Sequence, residues 1–275
     1  MRAALIQTTT GIDPAVNAAA LVDAVARAAG EGAVMAFTPE MSGLLDRDRA
    51  RAAANLHAQA DDPVLAAVRE AAARRGLWVH IGSLALREGR DGRLVNRGFV
   101  IDDTGAIRAH YDKMHLFDVD LATGESWRES AAYAPGDRAV AVRTPWGVLG
   151  LSICYDLRFP DLYRALSDAG ATIIAVPAAF TVPTGAAHWH VLLRARAIEA
   201  AAFVLAAAQT GAHADGRATY GHSLAIDPWG AVLADAGGEP GLRLVDLDLA
   251  QVEAVRARLP VLRHRRPVAG VELAG

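Results

Sequence analysis

The side chains in this chain that are best suited to take part in a reaction are one cysteine, one lysine and one glutamate. Cys154 is the only cysteine among 275 residues and ends the apolar segment Val148-Leu-Gly-Leu-Ser-Ile-Cys154. A thiol between a strand and a following helix is a potential nucleophile, because a helix N-terminus favours the thiolate. A lone cysteine in an apolar segment is more often a small buried hydrophobe. The polar residues Tyr155, Asp156 and Arg158 directly after it shift the interpretation towards function.

Glu40 and Lys113 are the candidate partners of this thiol. Glu40 follows the apolar run 33–37 and a Thr-Pro pair, at a strand end where open α/β sheets hold ligands. A carboxylate there could take the thiol proton and later activate water as a general base. Lys113 is the only lysine in the chain. Its compact ammonium could lower the pKa of a thiol and stabilise an oxyanion. Taken singly, an exposed loop glutamate and a solvated surface lysine are the alternatives.

Short apolar runs that alternate with helical segments must position these residues. Runs of this kind, bounded by Gly, Pro or charge, are typical of strands covered on both faces. The alternation predicts an α/β fold. No repeat, linker or charge block interrupts it, so we expect one domain over residues 1–275. The predicted strands are 5–7, 33–37, 77–81, 99–101, 148–153, 172–176 and 203–207.

Helix boundary signals separate the strands. Asp13-Pro14 and Asp62-Pro63 each place an N-cap residue before a proline, and Gly30 and Gly76 are the matching stop signals. Two further helices are predicted, one from about Pro160 and one over 188–201. The stretch 118–134 has no clear periodicity, and long irregular segments in compact domains tend to be functional.

Composition limits the function classes. The formal net charge of -3 argues against a nucleic-acid-binding protein. A single cysteine excludes an intrachain disulfide and favours a reducing, cytoplasmic setting. The N-terminus has no signal-peptide pattern, and no apolar run reaches the ~20 residues of a membrane span. No nucleotide-binding glycine motif is present, so no cofactor is expected, and His188 and His190 lie two apart and diverge on a helix, so no metal is expected either.

Glu40, Lys113 and Cys154, in this order and with their flanking residues, resemble the catalytic triad of the carbon–nitrogen hydrolase (nitrilase) superfamily. The similarity extends over nearly the whole chain. The resemblance implies that Glu129, in Trp127-Arg-Glu-Ser130, is the family's second glutamate, which positions the lysine and the substrate. The strings that resemble the Nit branch of this superfamily are Lys113-Met-His-Leu-Phe-Asp118, Cys154-Tyr-Asp-Leu-Arg-Phe-Pro-Asp161, Ala187-His-Trp189, Tyr220-Gly-His-Ser223 and Asp227-Pro-Trp-Gly230.

The resemblance also implies a fold and a reaction. The fold would be an αββα sandwich, usually a homodimer or a higher homo-oligomer. The reaction would be hydrolysis of a small carboxylate-bearing ω-amide, such as deaminated glutathione, through a thioester acyl-enzyme, with water as cosubstrate and an acid and ammonia as products. Related carbamoylases imply that Arg158 binds the substrate carboxylate, while pairing with Asp156 or Asp161 is the alternative. Tyr155, Phe180 and Thr184 are the other expected substrate-binding residues.

Several alternatives remain open from the sequence. N-carbamoyl amino acid amidohydrolase and nitrilase activities would use the same triad. Branch members often carry Glu after the His-Trp pair where this chain has His190, which leaves the exact substrate open. Gly221-His-Ser-Leu-Ala225 mimics the nucleophile elbow of a serine hydrolase, with Ser223 as nucleophile. A true elbow is followed by a long helix, whereas Asp227-Pro-Trp-Gly230 predicts a turn between strands. A non-catalytic assembly protein is the last alternative.

Overall fold

Two six-stranded sheets form the centre of the molecule in the computed structural model, which describes residues 1–120, 124, 126–268 and 270–275. The strands are β1 Arg2–Gln7, β2 Met35–Phe37, β3 Trp78–Leu86, β4 Val95–Ile101, β5 Ile107–Asp112, β6 Asp118–Asp120, β7 Ser126–Arg128, β8 Val140–Thr144, β9 Gly147–Leu151, β10 Ile173–Ala175, β11 Phe203–Ala206, β12 Thr210–Ala212, β13 Ala218–Tyr220, β14 Leu224–Ile226, β15 Val232–Asp235 and β16 Gly241–Asp246. The helices are α1 Pro14–Gly30, α2 Arg49–Ala53, α3 Pro63–Arg75, α4 Pro160–Asp168, α5 Val182–Ala200, α6 Ala250–Arg258 and α7 Val261–His264.

Each sheet has parallel strands at its centre and antiparallel strands at its edges. The first sheet has the order β16-β1-β2-β3-β4-β5, in which β1, β2 and β3 are parallel. The second has the order β15-β14-β11-β10-β9-β8, in which β9, β10 and β11 are parallel. The carboxyl ends of these parallel strands carry the segments that follow β2 and β9, which contain Glu40 and Cys154.

The apolar runs are continuous because the central strands are covered on both faces. In β1, Ala3 and Leu5 join the core between the two sheets, whereas Ala4 and Ile6 pack against the outer helices. The outer layer of the first sheet is formed by α1 and α3, and that of the second by α4 and α5. The fold is therefore an αββα sandwich, as the resemblance implied.

The helix boundary signals are confirmed at both Asp-Pro pairs. The Asp13 carboxylate accepts from the Ala15 N–H at 2.9 Å, and the Asp62 carboxylate accepts from the Leu65 N–H at 2.7 Å. Gly76 ends α3 with a φ of 60°, a left-handed conformation that glycine adopts at low cost.

The prediction for α5 is wrong at its start, since this helix begins at Val182 and not near residue 188. Pro183 suits the first helical turn, where its missing N–H is not needed. This extension places Thr184 on a helix. All seven predicted strands are present, and the strands not predicted are mostly short or at edges. Among the described residues, no helix is long and apolar enough to cross a bilayer.

Candidate active site

An irregularity in β3 holds the Glu40 loop in place. The pairing register of β3 with β4 shifts between Ile81 and Leu84. In this interval, groups of β3 hydrogen bond with the Glu40 loop instead of with β4. The Gly82 N–H donates to Thr38 Oγ1 at 3.0 Å, and the Met41 N–H donates to Ser83 Oγ at 2.9 Å. A Cβ on Gly82 would lie 2.2 Å from the Thr38 carbonyl oxygen, so only glycine allows this approach. The loop that carries Glu40 is therefore fixed by hydrogen bonds and close packing against β3.

Glu40, Lys113 and Glu129 form one buried ionic cluster. Lys113 follows β5 and is 2% exposed. Its Nζ donates to Glu40 Oε1 at 2.9 Å and to Glu129 Oε2 at 2.9 Å. Glu129 starts the 3₁₀ helix Glu129–Ala131, and its Oε2 also accepts from the Phe117 N–H at 2.7 Å. The structure thus brings together three of the residues predicted from the sequence.

Asn96 bridges the two carboxylates and was missed in the sequence analysis. Its Nδ2 donates to Glu40 Oε1 at 2.9 Å and to Glu129 Oε1 at 3.2 Å. In the sequence Asn96 is only a polar residue within the segment Val95–Ile101, and its burial and its partners are known from the structure alone. The second Glu40 oxygen accepts from the Ala179 N–H at 3.0 Å. Glu40 is therefore held by donors on several sides.

Cys154 has an uncommon backbone conformation directly after β9. Its φ of 51° is in the left-handed region, which costs free energy for a residue with a side chain. Its N–H donates to the Pro177 carbonyl at 2.8 Å. Cys154 is 8% exposed, and the nearby Glu40 carboxylate acts on the pKa of its thiol. A 3₁₀ helix, Cys154–Arg158, lies between β9 and α4, so the helix predicted from about Pro160 does not begin at the thiol itself.

Asp156 holds this strained turn, a role that the sequence analysis did not assign. Its carboxylate is fully buried. Oδ2 accepts from the Ile153 N–H at 2.8 Å and from Tyr111 Oη at 2.8 Å. Oδ1 accepts from the His115 N–H at 3.0 Å and lies 2.7 Å from His115 Nδ1. Asp156 therefore joins the Cys154 turn to the segment that follows Lys113.

The charges of the cluster determine the protonation states. Burial would raise the pKa of Glu40, but the Lys113 charge and the hydrogen bonds from Lys113 and Asn96 leave it below its usual value. Burial would lower the pKa of Lys113, but Glu129 and Glu40 keep it well above its usual value. Burial and the neighbouring Glu40 charge raise the pKa of Cys154, which outweighs the opposing effect of Lys113. The resting site thus holds a thiol beside a carboxylate and an ammonium, rather than the preformed thiolate suggested by the helix N-terminus.

A cavity of about 780 Å³ opens onto this cluster. The cluster residues Glu40, Lys113, Glu129 and Cys154 line it. Three of the expected substrate-binding residues also line it, namely Tyr155, Phe180 and Thr184.

Arg158 is not among the residues that line the cavity. Its guanidinium lies 5.6 Å from the centre of the Phe180 ring and 5.9 Å from that of Tyr155, and it donates to His188 Nδ1 at 3.3 Å. In this conformation Arg158 lies beside the Tyr155 and Phe180 rings, which themselves line the cavity.

Ser223 and the histidines of α5 have other partners. Ser223 is fully buried, and its Oγ donates to Gln7 Oε1 at 2.8 Å and accepts from the Ala208 N–H at 2.9 Å. The short strand β14 follows it instead of a helix, so the elbow resemblance does not extend to the structure. His190 pairs with Asp235 at 3.1 Å, outside the cavity lining.

His190 and Asp235, together with His222, are the one group among the described residues with the spacing of a metal site. His222 Nδ1 lies 2.9 Å from Asp235 Oδ1. Hydrogen bonds from both imidazoles to one carboxylate account for this proximity.

Comparison with known proteins places this site in a family. The carbon-nitrogen hydrolase profile matches residues 2–257. Deaminated glutathione amidase of Yersinia enterocolitica is 39% identical over 271 residues, which cover 98% of this chain and 94% of that protein. The NitFhit crystal structure of Caenorhabditis elegans has a TM-score of 0.89 and 37% identity, covering 96% of this chain and 65% of that one. A mutant amidase of Nesterenkonia sp., in which acrylamide has added to the active-site cysteine, has a TM-score of 0.79 and 31% identity, covering 94% and 98%. This chain is therefore an amidase and belongs to the carbon–nitrogen hydrolase family.

Proposed function

We propose that this enzyme hydrolyses a small carboxylate-bearing ω-amide, such as deaminated glutathione, with Cys154 as nucleophile. The observation that carries the proposal is the position of the only cysteine. It lies beside Glu40, which in turn binds Lys113, and all three residues line a cavity of about 780 Å³. A nucleophile within hydrogen-bonding reach of a base that is itself oriented by a third group is the arrangement of covalent catalysis.

Acylation starts from the neutral thiol. Glu40 takes the proton as Cys154 Sγ attacks the amide carbonyl carbon, and a tetrahedral oxyanion forms. Lys113 Nζ is one donor to this oxyanion, and the Tyr155 N–H, which has no hydrogen-bond partner among the described residues, is the other. The Cys154 N–H is not available, because it donates to Pro177. Glu40 then protonates the amide nitrogen, the carbon–nitrogen bond breaks, and a thioester remains.

Deacylation uses the same base. Glu40 deprotonates a water molecule, which attacks the thioester carbonyl carbon. Lys113 and the Tyr155 N–H stabilise the second oxyanion. The carbon–sulfur bond breaks, the acid leaves, and the proton returns from Glu40 to Cys154. Glu129 and Asn96 keep Lys113 and Glu40 in place during both steps through the hydrogen bonds described above.

The relative from Yersinia supports the substrate class by its name. Deaminated glutathione consists of a 2-oxoglutaryl group joined by an amide bond to cysteinylglycine, so its leaving group is a dipeptide amine. Ammonia would leave only from a primary amide. Tyr155, Phe180 and Thr184 would contact the acyl group, since they line the cavity beside Cys154. Arg158 would bind the acyl carboxylate only after its side chain turned towards the cavity.

The proposal includes one domain over residues 1–275 and a homodimeric, cytoplasmic enzyme. Apolar side chains exposed on α5 and on the adjoining β14–β15 hairpin support an interface between two copies. Val191 and Ile198 lie seven residues apart and so share one face of the helix. The exposed members of this apolar face are Val191, Ile198, Trp229, Val232 and Leu233. The single free thiol supports a reducing compartment.

A substrate panel tests the proposal. Product release is measured for deaminated glutathione, 2-oxoglutaramate, succinamate, an N-carbamoyl amino acid and a simple nitrile. We expect turnover of the two 2-oxo amides at least tenfold above that of the nitrile and the carbamoyl compound. Preferred turnover of the nitrile or the carbamoyl compound would replace the proposed substrate class. Folded protein without activity on any of the five would refute it.

A further inference from the structure

The described residues that line the cavity have a marked excess of positive charge away from the catalytic cluster. Besides Lys113, the cationic residues that line it are Arg47, Arg49, Arg93, Arg128 and Arg217. The acidic residues that line it among the described part of the chain are Glu40, Asp46 and Glu129. Two of these bind Lys113, and the third binds Arg51 at 2.7 Å. Asp46 also interacts with the charge of Arg217, so none of the three is paired with Arg49 or Arg93.

Three of the five arginines have structural partners. Arg217 Nε donates to the Asp215 carboxylate at 2.7 Å. Arg128 Nη2 donates to the Asp120 carboxylate at 2.8 Å. Arg47 Nε donates to the Asp215 backbone carbonyl at 2.9 Å, and the Arg47 backbone N–H donates to the Asp215 carboxylate at 2.9 Å. These side chains are held by the protein.

Arg49 and Arg93 differ from these three in making only long contacts with backbone carbonyls. Arg49 Nη2 makes one long contact with the Arg128 carbonyl at 3.3 Å, and Arg93 Nη1 makes one with the Tyr133 carbonyl at 3.5 Å. Among the described residues, the nearest carboxylate to Arg93 is that of Asp91 at 3.8 Å, and the Asp91 side chain is 85% exposed. Within the described residues, neither guanidinium has a carboxylate at hydrogen-bonding distance.

Both arginines lie on the wall of the cavity that also carries Glu129. Their backbone partners, Arg128 and Tyr133, flank the 3₁₀ helix Glu129–Ala131. Glu129 binds Lys113, so this wall adjoins the reacting groups. An extended dipeptide spans at most ~7 Å. A cavity of about 780 Å³ accommodates such a group in addition to the acyl group, since pockets for drug-sized ligands have ~300–1000 Å³.

We propose that Arg49 and Arg93 bind the terminal carboxylate of a peptide-like leaving group, and so make the enzyme selective for amides whose departing amine carries a carboxylate. The inference rests on the proposed function and extends it from the acyl group to the other side of the scissile bond. The guanidinium fork matches a carboxylate in a bidentate manner. A primary amide, which releases ammonia, has no carboxylate on its leaving group for these arginines to bind.

The test compares two substrates with one acyl group and different leaving groups. kcat/KM is measured for deaminated glutathione and for 2-oxoglutaramate with Arg49→Ala, Arg93→Ala and the double variant. We expect kcat/KM for deaminated glutathione to fall about tenfold or more, mainly through KM, because hydrogen bonds between charged groups contribute on that scale. The value for 2-oxoglutaramate should change by less than about twofold. Arg75→Ala, which removes an exposed arginine of α3 outside the cavity, is the matched control.

A third substrate identifies the group that is recognised. Deaminated glutathione with its terminal carboxylate converted to an amide should be a poor substrate of the wild type, and the double variant should not lower its kcat/KM further. Equal losses on both original substrates, or no loss on either, would overturn the inference while leaving the proposed function in place. Absence of wild-type turnover on both would refute the proposed function and this inference with it.

Discussion

Replacing Asp156 tests whether the strained Cys154 turn depends on one buried carboxylate. In the wild type this side chain accepts from the Ile153 N–H, the His115 N–H and Tyr111 Oη at 2.8–3.0 Å. Asp156→Ala leaves these three donors without their acceptor in the interior. Asp156→Asn keeps the shape of the side chain but turns an NH₂ group towards at least one of them.

The expected losses of stability and of kcat follow from these contacts. An unsatisfied buried donor costs about 1–3 kcal/mol, and losses within one network are not additive. We therefore expect Asp156→Ala to lower the free energy of unfolding by about 3–5 kcal/mol and Asp156→Asn by about 2 kcal/mol. Because Cys154 loses its support, kcat should fall about 100-fold in both variants, the usual effect of misplacing a reacting group by about 1 Å.

Denaturant unfolding and steady-state kinetics on a 2-oxo amide measure the two effects. Asp161→Asn is the matched control, because Asp161 is exposed at the start of α4 in the same segment. We expect that control to differ from the wild type by less than about 0.5 kcal/mol. An Asp156→Asn enzyme with wild-type stability and wild-type kcat would refute the reasoning, because the turn would then hold Cys154 without the carboxylate.

Two further predictions concern charge. Glu129→Gln removes one of the two carboxylates that bind Lys113. It should lower kcat about 100-fold on every accepted amide, a loss comparable to that caused by removing an oxyanion donor. An unchanged kcat would contradict the positioning role of Glu129. His80 is buried, and burial lowers its pKa to about 3, whereas an unfolded histidine titrates near 6.5. As pH falls below 6.5 the unfolded chain gains a proton that the folded protein excludes, so the free energy of unfolding should drop by about 2 kcal/mol between pH 7 and pH 5 from this residue. In denaturant titrations at both pH values, His80→Leu should show a correspondingly smaller drop, and an equal drop would exclude His80 as its source.

The parts of the fold that follow local rules were predictable from the sequence. Asp13-Pro14 and Asp62-Pro63 start helices because capping and proline geometry act over three or four residues. The apolar runs form the central strands because both of their faces are buried. Edge strands such as β8 and β16 carry polar residues on one side and were not predicted.

The candidate site was predictable in composition but not in geometry. The lone Cys154, the lone Lys113 and the strand-end Glu40 could be singled out from their types and positions. The positions of Asn96 and Asp156 between these residues depend on contacts across 41 to 56 residues of sequence, which no local pattern records. The thiol pKa was expected to fall near a helix start, yet burial and Glu40 raise it.

The role of Cys154 as nucleophile is tested by hydrolysis of deaminated glutathione by the wild type and by Cys154→Ala, with the intact mass of each protein recorded during turnover. We predict release of 2-oxoglutarate and cysteinylglycine by the wild type and an acyl adduct in its intact mass. Cys154→Ala, shown to be folded by its unfolding transition, should release neither product and carry no adduct. Near-normal hydrolysis by Cys154→Ala would contradict the central claim that this thiol is the nucleophile.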